Sequence, residues 1–478
     1  MSYLSKADHS NTQRGFYISA TKKSSGKTVI SLGLGAALTE AGLLVQSYKK
    51  GPDYIDPMWH QAATGRPCFN LDFFTQTREE IEHTFDHNRQ VADVVYVEGN
   101  KGLFDGMDTL GSDCNAALAE QLSLPVVLIV NAQGITRGIA PMLKGYEAFA
   151  EGISYAGVIL NEVAGPRHQA KLISAIETYT DLQILGVVPK LSKLHLEERH
   201  LGLVPQNEAG YSDAYIRQTA TLVKENVDID RLLSVSKVLD LPELPEASPV
   251  LEISSNTPIT IGIARDRAFG FYYPDDLQAM TSMGVKLAYF DTLNDQVLPE
   301  VDALFIGGGF PEMQSAALCR NKAMRDQIRQ FIEAGKPVYA ECGGLMYLCR
   351  DIEYLGKVEA MVGAIDAQVE MTERPIGRGY AKIKQTTAHL WGDSGTEGER
   401  GCHEFHYSRL SGPAVATDMA YEVKRGYGVN GQGDGIMVNN TLAMYCHQRH
   451  TQNNPWVSQF VQFIRRDLSK TRITSKNG

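Results

Sequence analysis

The chain has 478 residues, 43% of them hydrophobic, and a formal net charge of −10 at neutral pH. That length predicts about three domains, or two large ones, and the composition excludes a disordered chain, a collagen-like fibre and a coiled coil. An acidic surface is unfavourable for binding phosphate backbones, so we expect no nucleic-acid partner. Seven scattered cysteines and a polar N-terminus predict a reducing, cytoplasmic location with no membrane span.

Short aliphatic runs alternate with amphipathic stretches through the first half of the chain. Such runs are typical of strands that are buried on both faces of a parallel sheet. The predicted strands are Phe16–Ala20, Leu43–Ser47, Val94–Glu98, Val126–Asn131, Gly157–Asn161 and Ile184–Val188. A helix is predicted over Thr28–Ala41, ending at Gly42. The alternation predicts a doubly wound α/β domain over residues 1–235.

A phosphate-binding loop is predicted between the first strand and the first helix. The segment ends in Gly-Lys-Thr, as a P-loop does, although Thr21 stands where the pattern has its first glycine. Backbone amides would hold phosphate oxygens, the lysine would neutralise their charge, and the threonine hydroxyl would meet Mg²⁺. The alternative is a chance turn, against which the flanking strand and helix argue. The expected nucleotide contacts are Ser25, Gly26, Lys27 and Thr28.

Acidic residues follow two of the predicted strands. Glu98 ends one strand, where a carboxylate points into the ligand crevice of a parallel sheet. Asp53 and Asp56 come shortly after another strand. They are candidates for the metal site, although the flanking Pro52 and Pro57 also suit a loop that these residues merely cap.

A proline-rich stretch over residues 236–258 predicts a linker between domains. Strands are then predicted at Ile259–Ala264, Lys286–Phe290, Ala303–Ile306 and Val338–Glu341. They indicate a second α/β domain over residues 259–465, followed by a flexible polar tail over 466–478.

Cys342 lies on a tight turn between a predicted strand and a predicted helix. That geometry exposes a nucleophile above a helix N-terminus, whereas the alternative is a buried structural cysteine. Amides of the neighbouring glycine-rich turns could stabilise an oxyanion; the candidates are Gly308, Gly309 and Gly343. The base is His447 or a member of the His403–His406 pair, and spacing alone does not choose between them.

A P-loop domain followed by a domain with a cysteine on a strand–helix turn resembles the cobyrinic acid a,c-diamide synthases, including the hydrogenobyrinic acid enzymes. The resemblance covers about residues 15–465. Its motifs are Ser25–Thr28, Lys50–Asp56, Glu98–Gly99, Gly102–Gly106, Glu198–Gly202, Phe271–Asp275, Ile306–Glu312, Tyr339–Leu348 and His403–Ser408.

The resemblance implies a dethiobiotin synthetase-like P-loop domain joined to a class I glutamine amidotransferase-like domain. It implies that ATP and glutamine are used to amidate the a and c carboxylates of a tetrapyrrole through an acyl phosphate. Cys342 would form a thioester with glutamine, and His447 would raise the nucleophilicity of this cysteine. By relation to dethiobiotin synthetases, Mg²⁺ would be held by Thr28, Asp53 and Glu98, and adenine would be contacted by Asn161.

The acidic protein needs a local basic surface for a substrate with many carboxylates, although about half of such charges are ordinarily just solvated. The candidates for this surface are Lys49, Lys50, Arg137, Arg167, Arg199 and His200. Further candidate substrate contacts are Tyr54, Asp56, Tyr273, His403 and His406. The family also makes a homodimer an expectation.

The chain departs from the family pattern at Arg449, where a second histidine usually follows the catalytic one. No third member of the catalytic triad is therefore assigned; Glu404 is a guess. The amino-acid sequence of residues 98–105 and 111–118 is more similar to a branch of the family that is associated with sulfur metabolism. That branch is thought to amidate sirohaem or a sirohydrochlorin.

Two alternatives from other classes stay open. One is a P-loop switch ATPase with a C-terminal interaction domain. Its only support is Lys22, which lies where some dimeric P-loop ATPases carry a second lysine. The other is an ATP-dependent carboxylase, which would leave the second domain without a function.

Overall fold

The computed structural model describes residues 12–190, 198–199, 202–210, 212–241, 258–392 and 398–476. The chain divides into two compact units, the first comprising Met1–Phe73 and Thr77–Glu246, the second Phe74–Gln76 and Ala247–Gly478. Within the described ranges, no helix is both long and apolar enough to cross a membrane.

The first unit alternates strands and helices. Its strands are β1 (Gln13–Ala20), β2 (Val45–Lys50), β3 (Phe69–Leu71), β4 (Val94–Glu98), β5 (Val126–Asn131), β6 (Tyr155–Val163), β7 (Ile184–Pro189), β8 (Glu198–Arg199), β9 (Gly202–Leu203) and β10 (Lys237–Leu239). Its helices are α1 (Lys27–Glu40), α2 (Ile55–Thr64), α3 (Arg78–Arg89), α4 (Asn115–Gln121), α5 (Ile139–Phe149), α6 (Pro166–Tyr179), α7 (Ser212–Asn226) and α8 (Ile229–Val235).

The central sheet of this unit has the order β3-β2-β4-β1-β5-β6-β7, and these strands are parallel. Apolar side chains of α3 to α6 pack on one face, while α1 packs on the other with α2 and α7. The chain order reverses around β1, and in open parallel sheets ligands bind at such a switch point, beyond the carboxyl ends of the strands. The fold therefore places the loop after β1 at the expected ligand crevice.

Helix α1 shows how local sequence positions that loop. Gly26 precedes the helix with a φ of 89°, a left-handed conformation that glycine adopts without strain. Gly33 lies so close to α7 that an added Cβ would sit 2.5 Å from the Thr219 carbonyl oxygen. The helix ends at Glu40, and Gly42 has a φ of 87°. The predicted helix is thus confirmed to within one residue at each end.

The second unit has more strands. They are β11 (Ile259–Ala264), β12 (Val285–Phe290), β13 (Ala303–Ile306), β14 (Val338–Glu341), β15 (Cys349–Tyr354), β16 (Lys357–Ala360), β17 (Ile365–Met371), β18 (Gly377–Gln385), β19 (Glu399–His406), β20 (Ser408–Ser411), β21 (Tyr421–Arg425), β22 (Gly433–Asp434), β23 (Ile436–Val438) and β24 (Thr441–Met444). The helices are α9 (Pro274–Ser282), α10 (Ser315–Arg320), α11 (Lys322–Glu333), α12 (Gly343–Leu348) and α13 (Trp456–Lys476), with 3₁₀ turns at Pro311–Gln314 and Pro413–Ala416.

The main sheet of the second unit has the order β12-β11-β13-β14-β24-β23, in which β23 alone pairs antiparallel. Side chains of α9 and α13 pack on one face and those of α10 to α12 on the other. Two four-stranded sheets, β16-β15-β17-β20 and β19-β18-β21-β22, accompany it. Because β14 and β24 are parallel neighbours, the residues that follow them, near Cys342 and His447, lie at the same edge.

The predicted fold class is confirmed in both units, but two boundaries differ from expectation. Residues 237–239, the start of the expected linker, form β10 and pair antiparallel with the start of β1, where Leu239 is buried. The expected flexible tail is helical as far as Lys476, because α13 runs through position 465 from an apolar face that includes Phe460 and Ile464.

Candidate active sites

The loop between β1 and α1 has the local structure that a phosphate-binding site needs. The Ser25 hydroxyl donates to the Lys22 carbonyl oxygen at 2.8 Å. The Asn161 side chain donates to the Ser25 carbonyl oxygen at 2.9 Å, and a Cβ on Gly26 would lie 2.1 Å from the same amide nitrogen. Asn161 therefore supports the loop from β6, and its contact with adenine stays a prediction.

Buried charges converge beside the start of α1. The Lys49 ammonium donates to Glu98 Oε1 at 2.8 Å and to Asp56 Oδ2 at 2.5 Å. The Thr28 hydroxyl donates to the same Glu98 oxygen at 3.0 Å and is 3.5 Å from Asp56 Oδ2. Burial opposes the charge on Lys49, but the two carboxylates outweigh it and raise its pKa. Burial and the Lys49 charge lower the pKa of Lys27 to about 8.

The two candidate aspartates make different contacts, and the expected metal role of Asp53 stays a prediction. Asp53 turns one carboxylate oxygen to the amides of Ile55 and Asp56, at 2.9 and 3.1 Å, and so holds the first turn of α2. Asp56, which was expected to contact substrate, is the aspartate beside Thr28. The two aspartates differ because Asp53 lies before α2 and caps its first turn, whereas Asp56 lies on the helix and faces Thr28.

The oxygens of Thr28, Glu98 and Asp56 fit Mg²⁺, which prefers hard oxygen ligands and completes its shell with water and phosphate. Across the described residues there is no group of three or more His, Cys, Asp or Glu side chains that could form an all-protein metal site.

A second layer of buried groups holds Glu98. Its Oε2 accepts from the Ser31 hydroxyl at 2.5 Å and lies 2.6 Å from His60 Nε2. The other ring nitrogen of His60 is 2.9 Å from the Tyr96 hydroxyl. Burial raises the pKa of Glu98, but Lys49 and His60 outweigh burial and hold it well below its usual value. His60 was not recognisable as a site residue from the sequence, because its partner Glu98 lies 38 positions away.

The candidate substrate contacts of the first unit differ in exposure, and two of them are too buried to form a surface patch. Lys50 is 6% exposed, its ammonium lies 5.9 Å from the Phe73 ring centre, and burial lowers its pKa. Tyr54 is also buried. Arg199 lies in the β8–β9 ladder, and His200 lies outside the described residues. Arg137 packs on Tyr179 at the surface, and Arg167 is exposed.

Cys342 occupies the turn between β14 and α12 that the sequence predicted. Its backbone has φ 47° and ψ −103°, a strained conformation for a residue other than glycine. Its amide donates to the Met444 carbonyl oxygen at 2.7 Å, which ties the turn to β24. The side chain is 6% exposed, and its Sγ lies 4.0 Å from the Phe405 carbonyl oxygen. Strained turns of this kind present a nucleophile at the carboxyl end of a sheet.

Glycines surround this thiol where a side chain would not fit. A Cβ on Gly308 would lie 2.4 Å from His447 Cε1. A Cβ on Gly343 would lie 2.9 Å from the Gly309 carbonyl oxygen, and one on Gly309 would lie 2.0 Å from the Ala268 carbonyl oxygen. The two glycine turns therefore approach each other closely beside the thiol, and the oxyanion role of their amides stays a prediction.

The structure distinguishes the three candidate histidines. His447 forms two backbone hydrogen bonds with His403, at 2.7 and 3.2 Å. Burial opposes the charge on His447, but Cys342 and Glu341 outweigh burial and raise its pKa to about 10. Burial, with the His447 charge, lowers the pKa of His403 to about 3. His406 faces the Ser408 carbonyl oxygen at 3.0 Å and stacks on Tyr445. Only His447 among the three therefore interacts with the thiol.

One expectation near this site changes. The guess that Glu404 completes a triad is wrong, because its oxygens accept from the amides of Tyr427 and Gly428 at 2.7 and 2.9 Å, and it lies 3.9 Å from His406.

Arg449, at the position where the family has a histidine, forms a buried ion pair with Asp275 at 2.7 and 2.8 Å. Its guanidinium lies 5.2 Å from the ring centre of Tyr273, which is 3% exposed and packs beneath it. Tyr273 therefore has a packing role here, and its expected contact with substrate stays a prediction.

The two units thus define a class: an amidating ligase with a nucleotide-binding domain and a glutamine amidotransferase domain. Residues 16–204 match the CobQ/CobB/MinD/ParA nucleotide binding domain, and residues 260–455 match the CobB/CobQ-like glutamine amidotransferase domain. A switch ATPase or a carboxylase does not need the second of these.

Relatives of nearly the same length narrow the class. The cobyrinate a,c-diamide synthase of Magnetococcus marinus is 44% identical over 94% of this chain and 97% of its own. The proteins of that name from Archaeoglobus fulgidus and Methanosarcina acetivorans are 38% and 37% identical, each over 93% of this chain and over 96% and 95% of their own. The chain belongs to the cobyrinate a,c-diamide synthase family.

Proposed function

We propose that this protein uses ATP and glutamine to convert the a and c side-chain carboxylates of cobyrinic acid, or of hydrogenobyrinic acid, to amides. The observation that carries the proposal is the pairing of Cys342 with His447 in a chain that also holds a P-loop and is 44% identical to a cobyrinate a,c-diamide synthase. A thiol nucleophile serves no purpose in a ligase that takes free ammonia, so glutamine is the nitrogen donor.

In the second unit, Cys342 attacks the carboxamide carbon of glutamine, and the C–N bond breaks. His447, charged at neutral pH, gives its proton to the departing ammonia. Amides of Gly309 and Gly343 stabilise the oxyanion, and water then hydrolyses the thioester. The strained turn at Cys342 keeps the sulfur fixed for this attack.

In the first unit, a substrate carboxylate attacks the γ-phosphorus of ATP and forms an acyl phosphate, with ADP as the leaving group. A carboxylate does not react with ammonia, so this activation is what makes amide formation possible. Ammonia then attacks the acyl carbon and displaces phosphate. Lys27 and the P-loop amides hold the phosphates, and Thr28, Glu98 and Asp56 would hold Mg²⁺, which stabilises the charge of the transferred phosphoryl group.

The substrate is tested by competition. The protein receives Mg-ATP, glutamine and equal amounts of cobyrinic acid, hydrogenobyrinic acid, sirohydrochlorin and sirohaem, and carboxylate-to-amide mass shifts are followed over time. We expect two shifts on a cobyrinate-type acid. Shifts only on sirohydrochlorin or sirohaem, which the wording of residues 98–105 favours, would keep the mechanism and change the substrate. ATP hydrolysis without any amidation would contradict the proposal.

A further inference from the structure

The residue two positions beyond the proposed catalytic histidine is not acidic, and the sequence assigned no third member of the triad. Arg449 stands there and pairs with Asp275. The nearest carboxylate lies elsewhere: Oε2 of Glu341 is 3.5 Å from His447 Nδ1. Glu341 is the last residue of β14 and directly precedes Cys342.

The carboxylate of Glu341 is held from its other side. Its Oε1 accepts from the Tyr339 hydroxyl at 2.6 Å and from the Gln448 amide at 2.9 Å. The Gln448 side chain in turn donates to the Tyr339 hydroxyl at 2.9 Å. Glu341 is 2% exposed, and a buried carboxylate is stable only when it is hydrogen-bonded and paired. With one oxygen fixed, the second is directed at the imidazole.

We propose that Glu341 is the positioning residue of the glutaminase site and replaces the missing acidic member of the triad. Its carboxylate orients His447 so that Nδ1 carries the proton on the side of Glu341 and Nε2 serves the thiol. The inference rests on the proposed roles of Cys342 and His447. It adds the carboxylate that orients the imidazole toward the thiol.

The proton balance follows from this geometry. Before glutamine reacts, the proton of the Cys342 thiol already lies on His447 Nε2, so the site holds a thiolate beside an imidazolium that Glu341 stabilises. The thiolate then adds to the carboxamide carbon. The same Nε2 proton passes to the leaving nitrogen as the C–N bond breaks.

The charged or titratable groups that face His447 come from two directions. Cys342 and Glu341 favour its charged form from the end of β14, and His403 lies beside it on β19 with a ring-centre distance of 6.3 Å. The pKa of His403 is already lowered to about 3, so His403 stays neutral near neutral pH. Removing the charge of Glu341 must therefore lower the pKa of His447.

The test is Glu341→Gln, with Glu404→Gln as the matched control. Both glutamates are almost fully buried and both lie near a histidine, but Glu404 faces His406 and backbone amides. We expect E341Q to lower kcat for glutamine hydrolysis by about a hundredfold or more, with little change in KM. The alkaline limb of its pH profile moves to lower pH, since deprotonated His447 cannot protonate ammonia. E404Q keeps the wild-type profile.

Glu341→Asp keeps the charge at a greater distance and serves if E341Q does not fold. It is expected to recover part of kcat and a wild-type alkaline limb. A wild-type kcat and pH profile in E341Q, or in a Glu341→Ala variant, would overturn the inference. A failure of the proposed function is measured separately with Cys342→Ala. If Cys342 is not the nucleophile, this variant still releases ammonia from glutamine.

Discussion

At the scale of single residues, the thiol site depends on how closely the backbone approaches the proposed catalytic side chains. Gly308 is the sharpest case, because its missing Cβ is what lets the loop lie against His447 Cε1. The φ of Gly308 is not in the left-handed region, so the need for glycine here is one of space and not of backbone strain.

Gly308→Ala should therefore misplace His447 without unfolding the protein. An added Cβ at 2.4 Å from the ring displaces it, and displacement of about 1 Å costs on the order of a hundredfold in rate. Glutamine hydrolysis is measured by ammonia release, and amidation with added ammonia should be unchanged. Gly145→Ala, where the new Cβ meets no atom within 4 Å, is the control. Full glutaminase activity in G308A would show that the loop and the ring are not in contact.

At the scale of elements, a buried ion pair fixes the start of α9 to the segment that follows β24. Arg449 is 1% exposed in its side chain and Asp275 19%, so water screens the pair little. Removing one partner of such a pair leaves an uncompensated buried charge. Arg449 thus takes a structural part at a position where the family pattern has a histidine.

Asp275→Asn should lower the free energy of unfolding of the second unit by about 3 kcal/mol. Fluorescence of Trp391 and Trp456, both in the core of that unit, reports the transition in denaturant. Asp326→Asn, which breaks an exposed pair with Lys322 on α11, should leave the midpoint unchanged. Equal midpoints for D275N and the wild-type protein would mean that the ion pair contributes nothing to stability.

At the scale of the whole molecule, the nucleotide site and the thiol site belong to different compact units. The proposed reaction uses them for separate chemical steps that share only ammonia. Each step should therefore survive the loss of the other when the shared reactant is supplied.

Cys342→Ala should abolish amidation with glutamine and retain amidation with ammonium salts, because only the thioester step needs the thiol. Lys27→Ala should abolish amidation with both nitrogen sources, because the phosphates lose their main side-chain charge. Product masses measure both variants, and binding of ATP to C342A is the folding control. If C342A also fails with ammonia, the assignment of two independent sites is wrong.

The sequence by itself determined the features that depend on chain neighbours. Continuous apolar runs located most strands of both parallel sheets, because burial on two faces leaves that mark in a short segment, but the three-residue β3 was missed. The P-loop and the turn at Cys342 were also recognisable, since strand, turn and helix follow one another directly. The strands between Cys349 and Asp434 were missed, because half-buried antiparallel strands alternate and leave no continuous run.

Only the tertiary structure decided which side chains meet. Register between β14 and β24 brings Glu341 and Cys342 to His447 rather than to His406. The first turn of α2 directs Asp56, and not Asp53, to Thr28. In each case the partners are distant in sequence or compete with an equivalent neighbour, so spacing along the chain cannot rank them. Strand pairing and the direction of a helix turn do distinguish the partners, because they fix where each side chain points.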